Sequence, residues 1–502
     1  SPKPTPKLSL LLRMGAGLTA PSTSTTALPQ PGIGPHPVGV VDVMTAEGAN
    51  GDTGIFARIF YPAEPDAATF DCLTRDGDDH LPYWIERKEY IAGMVSQLKA
   101  VSKRGQWLAE WIIGERRIHC VKRAALATTD TIPSRLPLII FSHGVGESRH
   151  QHSSLCSALA SQGYVVAAIE HRDYSACWTY KLQPESVVAS ASSIRGGRAG
   201  RVEKPMTFLD VGENEGRREY KTRNQQVHKR VAECVRLLHF LEECDLGLIN
   251  RCSCCPSTSS SSASSATSSD TTSMFSFSSE ESNEKNRRRS KAREGCRLPL
   301  HSDNGASRLV LGEEYEWAMF ADRLDLSSSI IMGVGLGAAT ALASCSFTTD
   351  FQKAIALDAT LRPLDTDVFT RVVQPILFLN RPGGASPDAQ SKFEDAESIT
   401  LMDAEAHTFS DLPLLLRPVL GRRLRLNGTT DADQMAETVV RVCAAFLQDT
   451  PQAATRQTAS ASASHASLPS PSSVKNFLLE QNFSCNPFPP LTPVPDDSEI
   501  FL

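Results

Sequence analysis

The sequence predicts an α/β fold in which a mostly parallel central sheet is flanked by helices. Three stretches carry that prediction. Leu136-Pro137-Leu138-Ile139-Ile140-Phe141 and Tyr164-Val165-Val166-Ala167-Ala168-Ile169 are continuous apolar runs, the pattern of strands buried on both faces of a parallel sheet. The helical pattern of residues 153–162 joins them and ends at Gly163, so the connection reads as a right-handed strand–helix–strand crossover. The third stretch, residues 330–340, reads as a buried strand, a sharp glycine turn through Gly333, Gly335 and Gly337, and the start of a helix of small residues.

Bulk composition sets the bounds. The chain has 502 residues, 41% hydrophobic and 22% charged, enough for one large domain with residues left over for disorder. A formal net charge of −6 gives no signal for nucleic acid. The 13 cysteines are irregularly spaced. Cys252, Cys254 and Cys255 read as free thiols rather than a metal site, because no paired CxxC or nearby histidine accompanies them. Cys156, Cys177, Cys234, Cys345 and Cys443 read as small core residues. No apolar run reaches the roughly 18 residues of a membrane span.

In chain order, residues 1–35 are rich in Pro, Ser and Thr and read as a disordered leader. Lys3, Lys7 and Arg13 flank a leucine run there, which fits a targeting sequence or a plain leader, so the compartment stays open, cytoplasmic or secreted. The sequons at Asn427 and Asn482 matter only in a secreted protein. Residues 38–43 and 55–61 read as two strands joined through a glycine-containing turn. Residues 81–118 have helical apolar spacing, either helices packed on the sheet or an exposed face for peripheral membrane contact.

After the first buried strand, Ser142-His143-Gly144-Val145-Gly146 forms a glycine-rich turn whose backbone N–H groups are free to point at a bound oxygen. Glu170-His171-Arg172-Asp173 closes the next strand and reads as a hydrogen-bonded scaffold rather than chemistry. Residues 186–218 read as a loop and residues 223–243 as a strong amphipathic helix. Residues 251–308 are a serine-rich insertion too polar to fold. Residues 314–325 read as a helix, 354–359 and 375–380 as strands, 398–401 as a short strand and 435–447 as the last helix. Residues 448–502 read as a disordered tail, leaving 36–447 as the folded domain around the insertion.

Three positions fall in a telling order: the glycine turn at Gly335, Asp358 at a strand end, and His407 past a later strand. Nucleophile, acid, histidine is the chain order of an α/β-hydrolase fold, in which the nucleophile sits on a strained G-x-S-x-G elbow. The chemistry needs them on one sheet edge, because histidine takes the serine proton and the acid fixes its tautomer. Here the serine position holds Gly335, and no other G-x-S-x-G occurs in the chain.

Phe141-Ser142-His143-Gly144-Val145-Gly146, Glu170-His171-Arg172-Asp173-Tyr174-Ser175-Ala176 and Ile355-Ala356-Leu357-Asp358-Ala359 together resemble the platelet-activating-factor acetylhydrolases of the plasma and intracellular type II kind. The resemblance runs over about residues 35–447, outside the insertion. It implies calcium-independent hydrolysis of short or oxidised sn-2 acyl chains from glycerophospholipids by a serine esterase, with no cofactor and no metal. It implies Asp358 as triad acid, His407 as triad base, and the Val145 and Leu336 N–H groups as oxyanion donors. The chain departs from the family's G-H-S-F-G-G at Val334, Gly335, Leu336 and Ala338. Glycine has no side chain to attack a carbonyl, so the expectation is an impaired enzyme. The alternatives are an active phospholipase or esterase, if Gly335 is an error or allele or if His407 activates water directly, and a non-catalytic lipid-binding or scaffold protein.

Overall fold

A computed structural model describes residues 27–47, 53–75, 80–97, 107, 110–111, 113–130, 132–184, 201–211, 216–249, 307–384, 387–393, 396–416, 418–423 and 425–448. The serine-rich segment 251–306, residues 1–26 and the tail beyond 448 lie outside them.

Eight strands build the sheet: β1 (Val38–Thr45), β2 (Phe56–Pro62), β3 (Leu136–Ser142), β4 (Val165–Ile169), β5 (Leu324–Val334), β6 (Lys353–Leu357), β7 (Ile376–Asn380) and β8 (Glu397–Thr400). Their spatial order is β8-β7-β6-β5-β3-β4-β2-β1, and two short strands, Val121–Lys122 and Leu309–Leu311, add to β1. From β4 to β8 every pairing is parallel, and β2 runs antiparallel to both β1 and β4. The connection from β3 runs to β4 on one side and that from β5 to β6 on the other, so the carboxyl ends of β3 and β5 flank the crevice where such sheets carry their ligands.

Alternation along the strands makes two cores. Ile139 and Phe141 face one layer with α1 (Lys88–Ser96), α2 (Ser153–Ser161) and α5 (Ala432–Gln448). Leu138 and Ile140 face the other, with α3 (Arg217–Asp245) and α4 (Leu336–Phe347). Successive strand side chains point to opposite faces, which is why a continuous apolar run is required.

Three expectations differ from the structure. Residues 314–325 are not a helix: only Trp317–Phe320 makes a 3-10 turn, and Leu324 already begins β5. Their helical spacing instead serves an aromatic cluster in which Tyr315, Trp317 and Phe320 meet Tyr61 and Phe240. Ahead of β1, residues 27–36 are packed rather than free. Leu28 is buried, Gln30 donates to the His119 carbonyl (2.9 Å), and the Gly34 N–H donates to Ser161 Oγ (2.6 Å). A short proline-rich strap needs only one apolar anchor and a few backbone partners to lie down. Of the loop expected over 186–218, Arg201–Thr207 is instead a strand paired antiparallel with Trp178–Pro184, and Arg217 already begins α3; residues 185–200 lie outside the described residues. Among residues 81–118, α1 buries Tyr90, Ile91, Met94 and Val95, whereas Trp107 and Trp111 are 68% and 52% exposed.

Candidate active site

β5 ends at Val334, and Gly335 caps the N-terminus of α4 with φ +56° and ψ −113°. Only glycine adopts that left-handed geometry without strain. The neighbouring glycines answer to packing. A Cβ on Gly333 would lie 2.3 Å from the Gly337 backbone, and one on Gly337 would lie 2.0 Å from the Ser142 carbonyl oxygen. Gly335 differs: the nearest atoms to a Cβ there are Thr360 Oγ1 at 3.8 Å and Gly144 Cα at 4.0 Å. The elbow leaves room for a side chain and carries none.

Beside it runs the turn after β3. The Gly144 N–H donates to Glu147 Oε2 (2.6 Å) and the Gly146 N–H to the Ser175 carbonyl (2.7 Å). Between them, the Val145 N–H meets no acceptor among the described residues, and nor does that of Leu336 at the start of α4. Both residues line one cavity of about 820 Å³ over the elbow, roofed by α1, Trp178 and Thr207.

His143 is structural. It is fully buried, its Nδ1 donates to the Gly144 carbonyl (2.8 Å), and its Nε2 accepts from the His171 N–H (3.2 Å). Burial holds its pKa well below the usual histidine range, so it is neutral. The 170–173 block is the expected scaffold. His171 joins Glu233 Oε2 (2.8 Å) to Ser142 Oγ (2.7 Å). Asp173 accepts from Arg230 Nε (2.9 Å), and Arg230 Nη1 reaches on to the His143 carbonyl (2.6 Å). A fully buried guanidinium on α3 thus clamps the backbone of the glycine turn, a constraint that no local motif in the sequence signals.

Asp358 follows β6 at φ +42°. Its Oδ2 accepts from Arg381 Nε (2.8 Å), while its buried Oδ1 meets no donor among the described residues. Gly384 sits against that oxygen so closely that a Cβ would come to 2.2 Å. His407 lies in the loop after β8, half-buried, its carbonyl accepting from the Ser410 N–H and hydroxyl (both 2.9 Å). Its ring makes no hydrogen bond among the described residues, with Asp358 or any other group. Burial lowers its pKa; nearby Arg381 pushes the same way and Glu147 opposes. The structure thus brings Val145 and Leu336 to one cavity, with Gly335 immediately before Leu336, and sets Asp358 and His407 on the same sheet edge without joining them. Sequence reasoning missed Arg381, Glu147 and Thr360, which belong to no motif.

Strand order, elbow and glycine turn define an α/β-hydrolase. The model of the family platelet-activating factor acetylhydrolase, isoform II, matches residues 20–252 and 282–464, and the chain belongs to that family of phospholipid-ester hydrolases. The gap in the match falls inside the serine-rich insertion. The platelet-activating factor acetylhydrolase of Gallus gallus is 26% identical over 428 residues, 83% of this chain and 82% of that protein. A putative phospholipase A2 of Schizosaccharomyces pombe is 60% identical over 42 residues, 8% of this chain and 10% of that one. A ferulic acid esterase structure from Streptomyces cinnamoneus covers 87% of this chain and 93% of its own at 16% identity and a TM-score of 0.42.

Proposed function

We propose that this chain is a catalytically impaired acetylhydrolase homologue. It binds glycerophospholipids with short or oxidised sn-2 acyl chains at the cavity over Gly335 and hydrolyses them poorly. The observation that carries the reading is the elbow itself, whose φ +56° backbone and open space are those of a nucleophile position, with no side chain on it.

With serine at 335, the full reaction would run as follows. The hydroxyl oxygen attacks the sn-2 carbonyl carbon, and its proton passes to His407. The Val145 and Leu336 N–H groups hold the oxyanion. The lysophospholipid alkoxide then leaves with the His407 proton, and water hydrolyses the acyl-enzyme by the same steps. Asp358 would orient His407. Without the nucleophile, only oxyanion-hole and binding contributions remain, about 10³–10⁴-fold over water in a triad enzyme stripped of its members. The Arg381–Asp358 ion pair at 2.8 Å supports the same reading, because it engages the acid that His407 would need. Exposed Trp107 and Trp111, which follow α1 in the chain, support contact with a lipid surface.

Fluorophosphonate labelling tests the assignment, since that reagent adds to an activated serine hydroxyl. The chain is expected to keep its mass, and the Gly335→Ser variant to gain one adduct on residue 335. A stoichiometric adduct on the unaltered chain would place the nucleophile elsewhere.

A further inference from the structure

The cavity over the elbow holds a cation that the catalytic reading does not use. Arg223, on the first turns of α3, is half-buried in the cavity wall with Leu336. Its hydrogen-bond partner among the described residues is the neutral Gln226 amide, 2.8 Å from Nη1, and it makes no ion pair there. The nearby buried carboxylate, Asp173, is already taken by Arg230 at 2.9 Å. Asp173, Glu219 and Asp210 act on Arg223 only through space, so its planar fork, which suits a phosphate or carboxylate, is hydrogen-bonded to no carboxylate among the described residues. Arg362 lines the same wall, 67% exposed and only loosely tied to Glu219 at 3.8 Å.

We propose that Arg223, flanked by Arg362, is the subsite for the phosphodiester of the lipid headgroup. This rests on the reading of the cavity as a glycerophospholipid site. In a glycerophospholipid the phosphate is a few bonds from the sn-2 ester, so one cavity reaches both. The wall also carries Asp210, Glu219, Trp178 and Tyr220. Carboxylates there repel a dianionic phosphate monoester, whereas carboxylates with aromatic faces suit a cationic headgroup beyond the phosphate. The ligand class is therefore a zwitterionic phosphodiester.

Calorimetry on the full chain separates the contributions, using 1-hexadecyl-2-acetylglycerophosphocholine, the neutral 1-hexadecyl-2-acetylglycerol and glycerophosphocholine, each below its aggregation concentration. The phospholipid should bind about tenfold or more tighter than the neutral lipid, as expected of a charge-assisted hydrogen-bonded pair. Arg223→Gln should bring the two within about twofold while leaving neutral-lipid affinity unchanged, and Arg362→Gln should lower phospholipid affinity by a smaller factor. A tenfold preference that survives Arg223→Gln overturns the subsite. If Arg223→Gln misfolds, Arg223→Lys decides, with an intermediate preference expected and an unchanged one contradictory. If neither lipid binds the unaltered chain, the lipid-site reading fails. Glycerophosphocholine then judges the subsite alone: Arg223-dependent binding sustains it, and none removes it.

Discussion

Gly335 and its two glycine neighbours are under different constraints, and substitution separates them. Gly337→Ala forces a Cβ to 2.0 Å from the Ser142 carbonyl, a contact between two backbones that neither can relieve. It should cost more than about 2 kcal/mol, read as a lower denaturation midpoint. Gly335→Ser places its Cβ in open space and carries only the conformational strain of the elbow, on the order of 1–3 kcal/mol. A second residue-scale prediction concerns Arg381. Its charge depresses the His407 pKa and its guanidinium occupies Asp358. In the Gly335→Ser background, Arg381→Ser should raise kcat. It should also move the acid limb of the pH–rate profile upward, because His407 then holds its proton to higher pH. An unmoved acid limb would mean that Arg381 does not act on the histidine.

The strands and helices were legible where one physical demand dominated. Ile139, Ile140 and Phe141 each needed burial, one face after the other, and only a central strand provides that. Val227, Val231 and Leu238 needed one apolar face, and α3 carries them on its buried side, running from Arg217 to Asp245. The reading failed where two demands gave the same spacing. Tyr315, Trp317 and Phe320 look helical, yet the aromatic cluster with Tyr61 holds them in a single tight turn between Gly312 (φ +82°) and Asp322 (φ +58°). At the site, the positions of Gly335, Val145 and Leu336 at strand ends were legible because backbone alone defines them, while their roles belong to the proposal. The Arg381–Asp358 and Arg230–Asp173 pairs were not, since long side chains choose partners across the fold. The Arg230 clamp joins α3 to the β3 turn, and Asp173→Ala would leave its guanidinium buried and unpaired. That variant should lose about 3–5 kcal/mol in denaturant unfolding. A loss under 1 kcal/mol would show that the clamp is not structural.

Across the whole molecule, the insertion and the pH response are open to test. The Ser307 N–H, just after segment 251–306, donates to Glu243 Oε2 near the end of α3 (2.9 Å). The two ends are therefore close, and replacing residues 251–306 with a short glycine–serine linker should leave the melting temperature within a few degrees. Burial alone would raise the Glu147 carboxyl, but His152 and the Gly144 N–H outweigh it and hold it at about 2 rather than 4.5. Burial would lower His152, and Glu147 instead raises it above 6.5. The Glu147 contribution is complete above about pH 4.5 and lost as pH falls toward 2. That of His152 is complete below about pH 6.5 and lost as pH rises through its folded value. The pair therefore stabilises most between those limits, and Glu147→Gln should flatten both flanks of the stability profile.

The most direct measurement sets the chain beside its Gly335→Ser variant on 1-hexadecyl-2-acetylglycerophosphocholine, following acetate release. The account predicts turnover by the variant at least about 10²-fold above the unaltered chain, since one missing oxygen at an assembled elbow is the principal defect. Equal turnover by both would contradict it, because the nucleophile would then lie away from residue 335.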